Sequence, residues 1–134
     1  MQTHAYVAVV TLLAILVYFW MGLQVAGARR KCGVQAPAMT GDPVLERTIR
    51  AHYNTLEWMP IFLPALWLFA FYWSDLVAAV LGAVWIVGRI LYFRGYVADP
   101  GRRELGFFVQ ALACAALVFG ALGRVLWVLF AVQL

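Results

Sequence analysis

Four apolar stretches, at about residues 5–27, 44–73, 76–98 and 104–132, make up most of this chain, and their length decides what it can fold into. About 20 apolar residues carry a helix across the roughly 30 Å hydrocarbon layer of a bilayer. Each stretch is that long or longer, although in the second Glu46, Arg47, Arg50, His52, Asn54 and Glu57 precede the continuous apolar part from Met59 to Trp73. Lipid offers the backbone no hydrogen bonds, so such a segment satisfies its own N–H and C=O groups as a helix. The sequence therefore predicts an all-α integral membrane protein, a bundle of four transmembrane helices in a single domain over residues 1–134. Hydrophobic residues make up 66% of the chain and charged ones 12%, which leaves no stretch for a separate soluble domain.

The first stretch contains no charged residue and carries Tyr6, Tyr18, Phe19 and Trp20 toward its ends, as interfacial aromatics do. It is too long for the core of a secretory signal and has no basic leader, so it reads as a retained span. The polar segment from Arg29 to Asp42, with Pro37 and Gly41, follows as a loop. Asp42 is placed to cap the second helix, with Pro43 as its first residue. Pro60 and Pro64 inside that helix predict a kink. Ser74-Asp75 is a tight turn, and Asp99-Pro100-Gly101 breaks the third helix.

The net charge of +4 is a topology signal and no sign of nucleic-acid binding, because the chain has no room for a soluble reader fold. Arg29, Arg30, Lys31 and Arg47 follow the first span, and Arg94, Arg102 and Arg103 surround the break after the third; the turn after the second span carries no basic residue. By the positive-inside rule both basic loops are cytoplasmic and the termini face the other compartment. Cys32 and Cys114 lie in different settings and predict free thiols. No His/Cys/Asp group has metal-ligand spacing, and His52 lacks a partner carboxylate at useful spacing for a catalytic base.

Ionisable residues at membrane depth are costly, and here they follow a pattern. Arg50, Asn54 and Glu57 are spaced four and three apart, which puts them on one face of the second helix. Arg89, Tyr92 and Tyr96, spaced three and four apart, share a face of the third. Simpler readings exist for each residue alone. Arginines near helix ends snorkel to headgroups, tyrosines anchor at interfaces, and an Arg89–Glu57 ion pair would hold two helices together. They do not explain the sum. The cations outnumber Glu46, Glu57, Asp99 and Glu104, and they sit at one depth with an asparagine and two phenols. A small anionic ligand would complete that set, with a cationic end for Glu57 and a lipid-soluble second substrate entering from the bilayer.

Two segments carry a family resemblance. They are Ala28-Arg29-Arg30 followed by Glu46-Arg47-Thr48-Ile49-Arg50-Ala51-His52-Tyr53-Asn54-Thr55-Leu56-Glu57 with Pro60 beyond, and Arg89-Ile90-Leu91-Tyr92-Phe93-Arg94-Gly95-Tyr96 followed by Arg103. The sequence resembles the MAPEG superfamily, the membrane-associated proteins in eicosanoid and glutathione metabolism, and within it the leukotriene C4 synthases and microsomal glutathione transferases. The resemblance implies a homotrimer, with glutathione as co-substrate held between neighbouring subunits near the cytoplasmic face. It assigns glutathione binding to Arg29, Arg50, Asn54, Glu57, Tyr92 and Tyr96, thiol activation to Arg103 and a role at the electrophile to Arg30. His52 stands where the leukotriene enzyme has a polar amide, and Trp58 where it has a tyrosine that touches glutathione; with Arg89 they join the expected binding set.

Glutathione also suits the residues on chemical grounds. It offers two carboxylates to arginines, an ammonium to Glu57, and amides to Asn54 and the tyrosines. Its thiol, with a pKa of roughly 8.5 like free cysteine, is mostly protonated at neutral pH, and an adjacent guanidinium favours the thiolate. Arg103 can supply this, although Arg102 is its neighbour. The expected activity is a membrane-bound glutathione transferase joining the thiolate to a lipophilic electrophile. Glutathione-dependent peroxidase or isomerase chemistry would use the same thiolate, and a non-catalytic lipid-binding scaffold would keep only the fold.

Overall fold

The computed structural model describes residues 3–132, and they form four long helices: α1 (Ala5–Cys32), α2 (Pro43–Tyr72), α3 (Asp75–Ala98) and α4 (Glu104–Trp127). A 3-10 turn, Pro100–Arg103, leads into α4, and a π-helical turn, Val128–Val132, extends it. All four are long and apolar enough to cross a membrane. The chain is an integral membrane protein.

Local chemistry sets the helix ends. α2 begins where the Asp42 carboxylate accepts the Leu45 N–H at 2.9 Å, with Pro43 in the first turn where its missing N–H costs nothing. Ser74 Oγ accepts the Val77 N–H at 3.3 Å at the start of α3, and Asp99 Oδ1 accepts the Gly101 N–H at 3.0 Å in the turn before α4. α2 runs unbroken through Pro60 and Pro64, and both prolines are exposed. α1 continues past residue 27, where hydropathy ended the span, to Cys32, and Gly33 closes it in the left-handed conformation at φ 73°. Hydropathy marks where the bilayer ends, and a helix need not stop there. Arg29, Arg30 and Lys31 therefore form the last turn of α1, where cations favour the negative end of the helix dipole.

α3 packs on α4, α2 and α1, and α2 also touches α1 and α4, so α2 and α3 form the middle of the bundle. Two glycines let α3 and α4 meet backbone to backbone. A Cβ on Gly106 would strike the Tyr92 backbone, and one on Gly88 would strike that of Gln110 at 2.6 Å. Small residues serve this purpose in membranes, where close packing replaces the hydrophobic effect. Inside, the Phe62 and Trp85 rings stack at 3.9 Å, with Val10, Leu66 and Leu117 in the same core. α1 contributes only Val7, Val10, Ala14 and Met21 to the buried set, while Leu12, Leu16 and Phe19 face outward. Such a surface would be a liability in water and is a normal one against lipid.

The connections at 33–42, 73–74 and 99–103 each reverse the chain, so one end of the bundle gathers the end of α1, the starts of α2 and α4, and the end of α3. That end holds almost every charge.

Candidate functional site

At the charged end, α2, α3 and α4 enclose a cleft of about 330 Å³ lined by Arg50, Asn54, Tyr92, Tyr96, Arg103, Glu104 and Phe107. Helical spacing explains the gathering. Arg50 and Asn54 project from one face of α2, and Tyr92 and Tyr96, one turn apart on α3, stack at 5.7 Å. The turn Pro100–Arg103 then brings Arg103 back over α3, with its guanidinium carbon 5.2 Å from the centre of the Tyr96 ring. Arg103 is on the cleft wall and Arg102 is not. Arg102 instead lays its backbone against Gly95, where a Cβ would clash.

Glu57 lies at the rim, 3.6 Å from Arg50, with both side chains more than half exposed. An exposed pair of this kind contributes about 0–1 kcal/mol, so a ligand can replace it at little cost. Trp58 stands edge-on to the cleft residue Phe107 at 5.7 Å.

Arg89 is not a lining residue. It is fully buried one layer behind the cleft, where its Nη2 donates to Asn54 Oδ1 at 3.0 Å and to Thr55 Oγ1 at 2.6 Å. Its guanidinium carbon also lies 4.3 Å from the Tyr92 ring centre. The ion pair that the sequence allows between Arg89 and Glu57 is replaced by Arg89–Asn54 and Arg50–Glu57, because Arg89 reaches into the helix packing and Glu57 faces out. A carbonyl oxygen engaged by Arg89 leaves the Asn54 amide N–H groups for the cleft.

Arg29, Arg30 and His52 are elsewhere. His52 turns toward α1 and stacks on Tyr18 at 4.6 Å, Arg29 Nη1 donates to the Ala38 carbonyl at 2.6 Å, and Arg30 is exposed at the end of α1. The expected site thus divides into a cleft on α2, α3 and α4 and a basic patch on α1 and α2. Among the described residues no group of His, Cys, Asp and Glu could hold a metal.

Three neighbours of the site escaped the sequence reading. Phe107 lies one turn beyond Arg103, a spacing that could have revealed it. Glu104 was read only as a counter-charge, and Thr55 gave no signal, since a lone threonine in a membrane helix usually bonds its own backbone, as Thr55 Oγ1 also does to Ala51 O at 3.0 Å.

The MAPEG family profile matches residues 7–123, a span that contains the cleft and the patch. The chain belongs to the MAPEG family. Relatives within the family are similar over most of their length. An uncharacterised protein of Synechocystis is 48% identical over 120 residues, covering 90% of this chain and 88% of that one. Human microsomal glutathione S-transferase 2 is 41% identical over 117 residues, covering 87% and 80%. Bovine leukotriene C4 synthase is 38% identical over 120 residues, covering 89% and 80%. The two MAPEG motifs read from the sequence therefore sit in a chain whose resemblance to these proteins runs through all four helices.

Proposed function

We propose that this protein is a membrane-bound glutathione transferase, working as a homotrimer with its sites at the cytoplasmic face. The observation that carries the reading is the cleft itself, where Arg50, Asn54, Tyr92, Tyr96 and Arg103 line one space of a size for a small polar ligand. Similarity to a microsomal glutathione S-transferase and to leukotriene C4 synthases supports it.

On this reading the Arg50–Glu57 pair opens as glutathione enters, and Arg50 takes a carboxylate while Glu57 takes the ammonium. Asn54 and the two tyrosines hydrogen-bond the peptide. The trimer accounts for the division of the expected residues: Arg29, Arg30 and His52 of a neighbouring copy complete a cleft they do not reach in their own. Arg103 stabilises the thiolate by its charge, and the thiol proton passes to water, since a guanidinium is no base at neutral pH. The sulfur then attacks an electrophilic carbon delivered from the bilayer. A C–S bond forms as a C–halide or epoxide C–O bond breaks, and halide leaves or the alkoxide takes a proton from water.

Purified protein given glutathione with an aryl halide, a lipid epoxide or a lipid hydroperoxide tests this. Thiolate absorbance should rise when glutathione alone is added and be consumed as conjugate forms on the halide or epoxide, whereas the hydroperoxide would yield alcohol and glutathione disulfide; the thiolate signal and turnover should both fall in Arg103→Ala. Absence of turnover on all three, with no glutathione-dependent thermal shift, would leave a lipid-binding scaffold as the correct reading.

A further inference from the structure

One carboxylate stands in the wall of the cleft, and glutathione binding as described leaves it unused. Glu104 lines the same space as Arg50, Arg103 and the two tyrosines. It directly follows Arg103, and Phe107 lies one turn beyond it, so the start of α4 presents residues 103, 104 and 107 to one cavity. With two arginines in that wall a carboxylate has cations near it, yet Glu104 forms no ion pair among the described residues, whereas Glu57 at the rim does. The dipole of α4 favours an acid in its first turn, which accounts for a carboxylate at this position and not for its presence in the cleft. There it has a cost, because a fixed negative charge repels the carboxylates of glutathione.

The chemistry lacks one part that Glu104 can supply. Conjugation removes a proton from the thiol, and that proton needs an acceptor within reach. Arg50 and Arg103 have no acceptor atom, Asn54 is an amide, and a phenol must lose its own proton before it can take another. Glu57 is held by Arg50 and, on the transferase reading, is then taken by the ammonium. Glu104 is the carboxylate that remains.

We infer, resting on the transferase reading, that Glu104 is the proton acceptor of this site and works through one water beside Arg103. The thiol proton moves to that water as the water's own proton moves to the Glu104 carboxylate, which leaves a thiolate against the Arg103 guanidinium and a neutral carboxyl group. With an epoxide the C–S bond forms, the C–O bond breaks, and the carboxyl group returns its proton through water to the alkoxide. With an aryl halide the halide leaves and the proton goes to solvent. The first transfer is common to both substrates, and only the epoxide needs the second.

Charge alone predicts the opposite of a relay when this residue is neutralised. Removing a negative charge beside a thiolate makes the thiolate easier to form, whereas removing its proton acceptor makes it slower to form. Stopped-flow absorbance of the thiolate, on the intact protein with glutathione alone, reads the difference. Glu104→Gln should form thiolate at least about tenfold more slowly than wild type, part of the roughly 10²–10⁴-fold that positioned proton transfer contributes. Its glutathione affinity should be equal or higher, since a repelling charge is gone. Turnover should fall further with a lipid epoxide than with an aryl halide, because the alkoxide loses its proton source as well. Glu104→Asp keeps a carboxylate within reach of a water and should retain most of the wild-type rate. Both variants should melt within a few degrees of wild type, since Glu104 is exposed and unpaired. Thiolate that forms as fast or faster in Glu104→Gln overturns the inference, and so does Glu104→Asp as slow as Glu104→Gln. Wild-type protein that forms no thiolate overturns the transferase reading itself and this role with it.

Discussion

The two ends of the bundle treat charge in opposite ways. At the Ser74–Asp75 end, Asp75 lies 3.3 Å from His4 and accepts the Tyr6 N–H at 3.1 Å. Arg124 there donates to the Tyr72 carbonyl at 3.2 Å and lies over the Trp73 and Trp127 rings at 5.2 and 4.4 Å. At the other end the nine cations and five acids form one side-chain ion pair among the described residues, Arg50 with Glu57. Arg29 and Arg47 bond main-chain carbonyls, Arg47 reaching Val97 O at 3.1 and 3.2 Å to close the end of α3. An end that only finishes a fold satisfies its charges internally. An end that binds leaves charges for a ligand to satisfy.

The comparison breaks most directly at Arg103. If the charged end is a thiolate site, Arg103→Ala removes the cation over the cleft, and turnover should fall on the order of 10²–10³-fold, the usual scale for losing one preorganised electrostatic contact. Glutathione affinity should change much less, because Arg50 and Glu57 remain. The expected thermal transition is that of wild type, as Arg103 is exposed and its recorded contact is with Tyr96. Steady-state kinetics beside a thermal scan read both. A variant that loses stability along with activity would make Arg103 a structural residue.

Arg89 sharpens the comparison next, because it is a cation of the charged end that is turned into the helix packing, where Nη2 bonds Asn54 and Thr55 while Nε and Nη1 find no partner among the described residues. Arg89→Met keeps the volume and removes both the hydrogen bonds to Asn54 and Thr55 and the cost of burying a guanidinium. These effects oppose each other, and interhelical hydrogen bonds in membranes average only about 0.6 kcal/mol, so stability should stay within about 1 kcal/mol of wild type. The Asn54 amide, however, loses its anchor. The Michaelis constant for glutathione should rise about tenfold with turnover at saturation nearly kept, the loss expected of ground-state binding. A fall in turnover with an unchanged Michaelis constant would place Arg89 in the chemistry.

His52 gives a smaller effect, set by the assembly. Within one chain it contacts Tyr18 and does not line the cleft, so His52→Leu leaves that cleft intact. If copies complete one another's sites, the Michaelis constant should rise by about two- to fivefold, the worth of one hydrogen bond of about 0.5–1 kcal/mol. An unchanged value would remove His52 from the site.

How much of this was legible in sequence depends on whether a residue's role is periodic. The four spans and the faces Arg50–Asn54–Glu57 and Tyr92–Tyr96 follow from repeats of three and four, which charge and length expose at once. The depth of Arg89 was not legible. Its spacing equals that of a lining residue, and only the close α3–α4 packing through Gly88 and Gly106 shows that it points inward. The end of α1 was missed for a related reason: hydropathy follows the bilayer, whereas Gly33 and the dipole set the helix.

The smallest effect belongs to the opposite end and is the control for the whole comparison. Asp75→Asn keeps an oxygen for the Tyr6 N–H and loses the charge facing His4, whose side chain is 32% exposed against 22% for Asp75. A pair this close to the surface contributes about 1 kcal/mol or less, so the thermal transition should drop by a few degrees at most. Turnover and glutathione affinity should not move, since Asp75 lies at the start of α3 and the cleft residues Tyr92 and Tyr96 near its end. A loss of activity beyond the loss of folded protein would mean that the two ends are coupled through α3, and that charge satisfied within the fold also tunes the site.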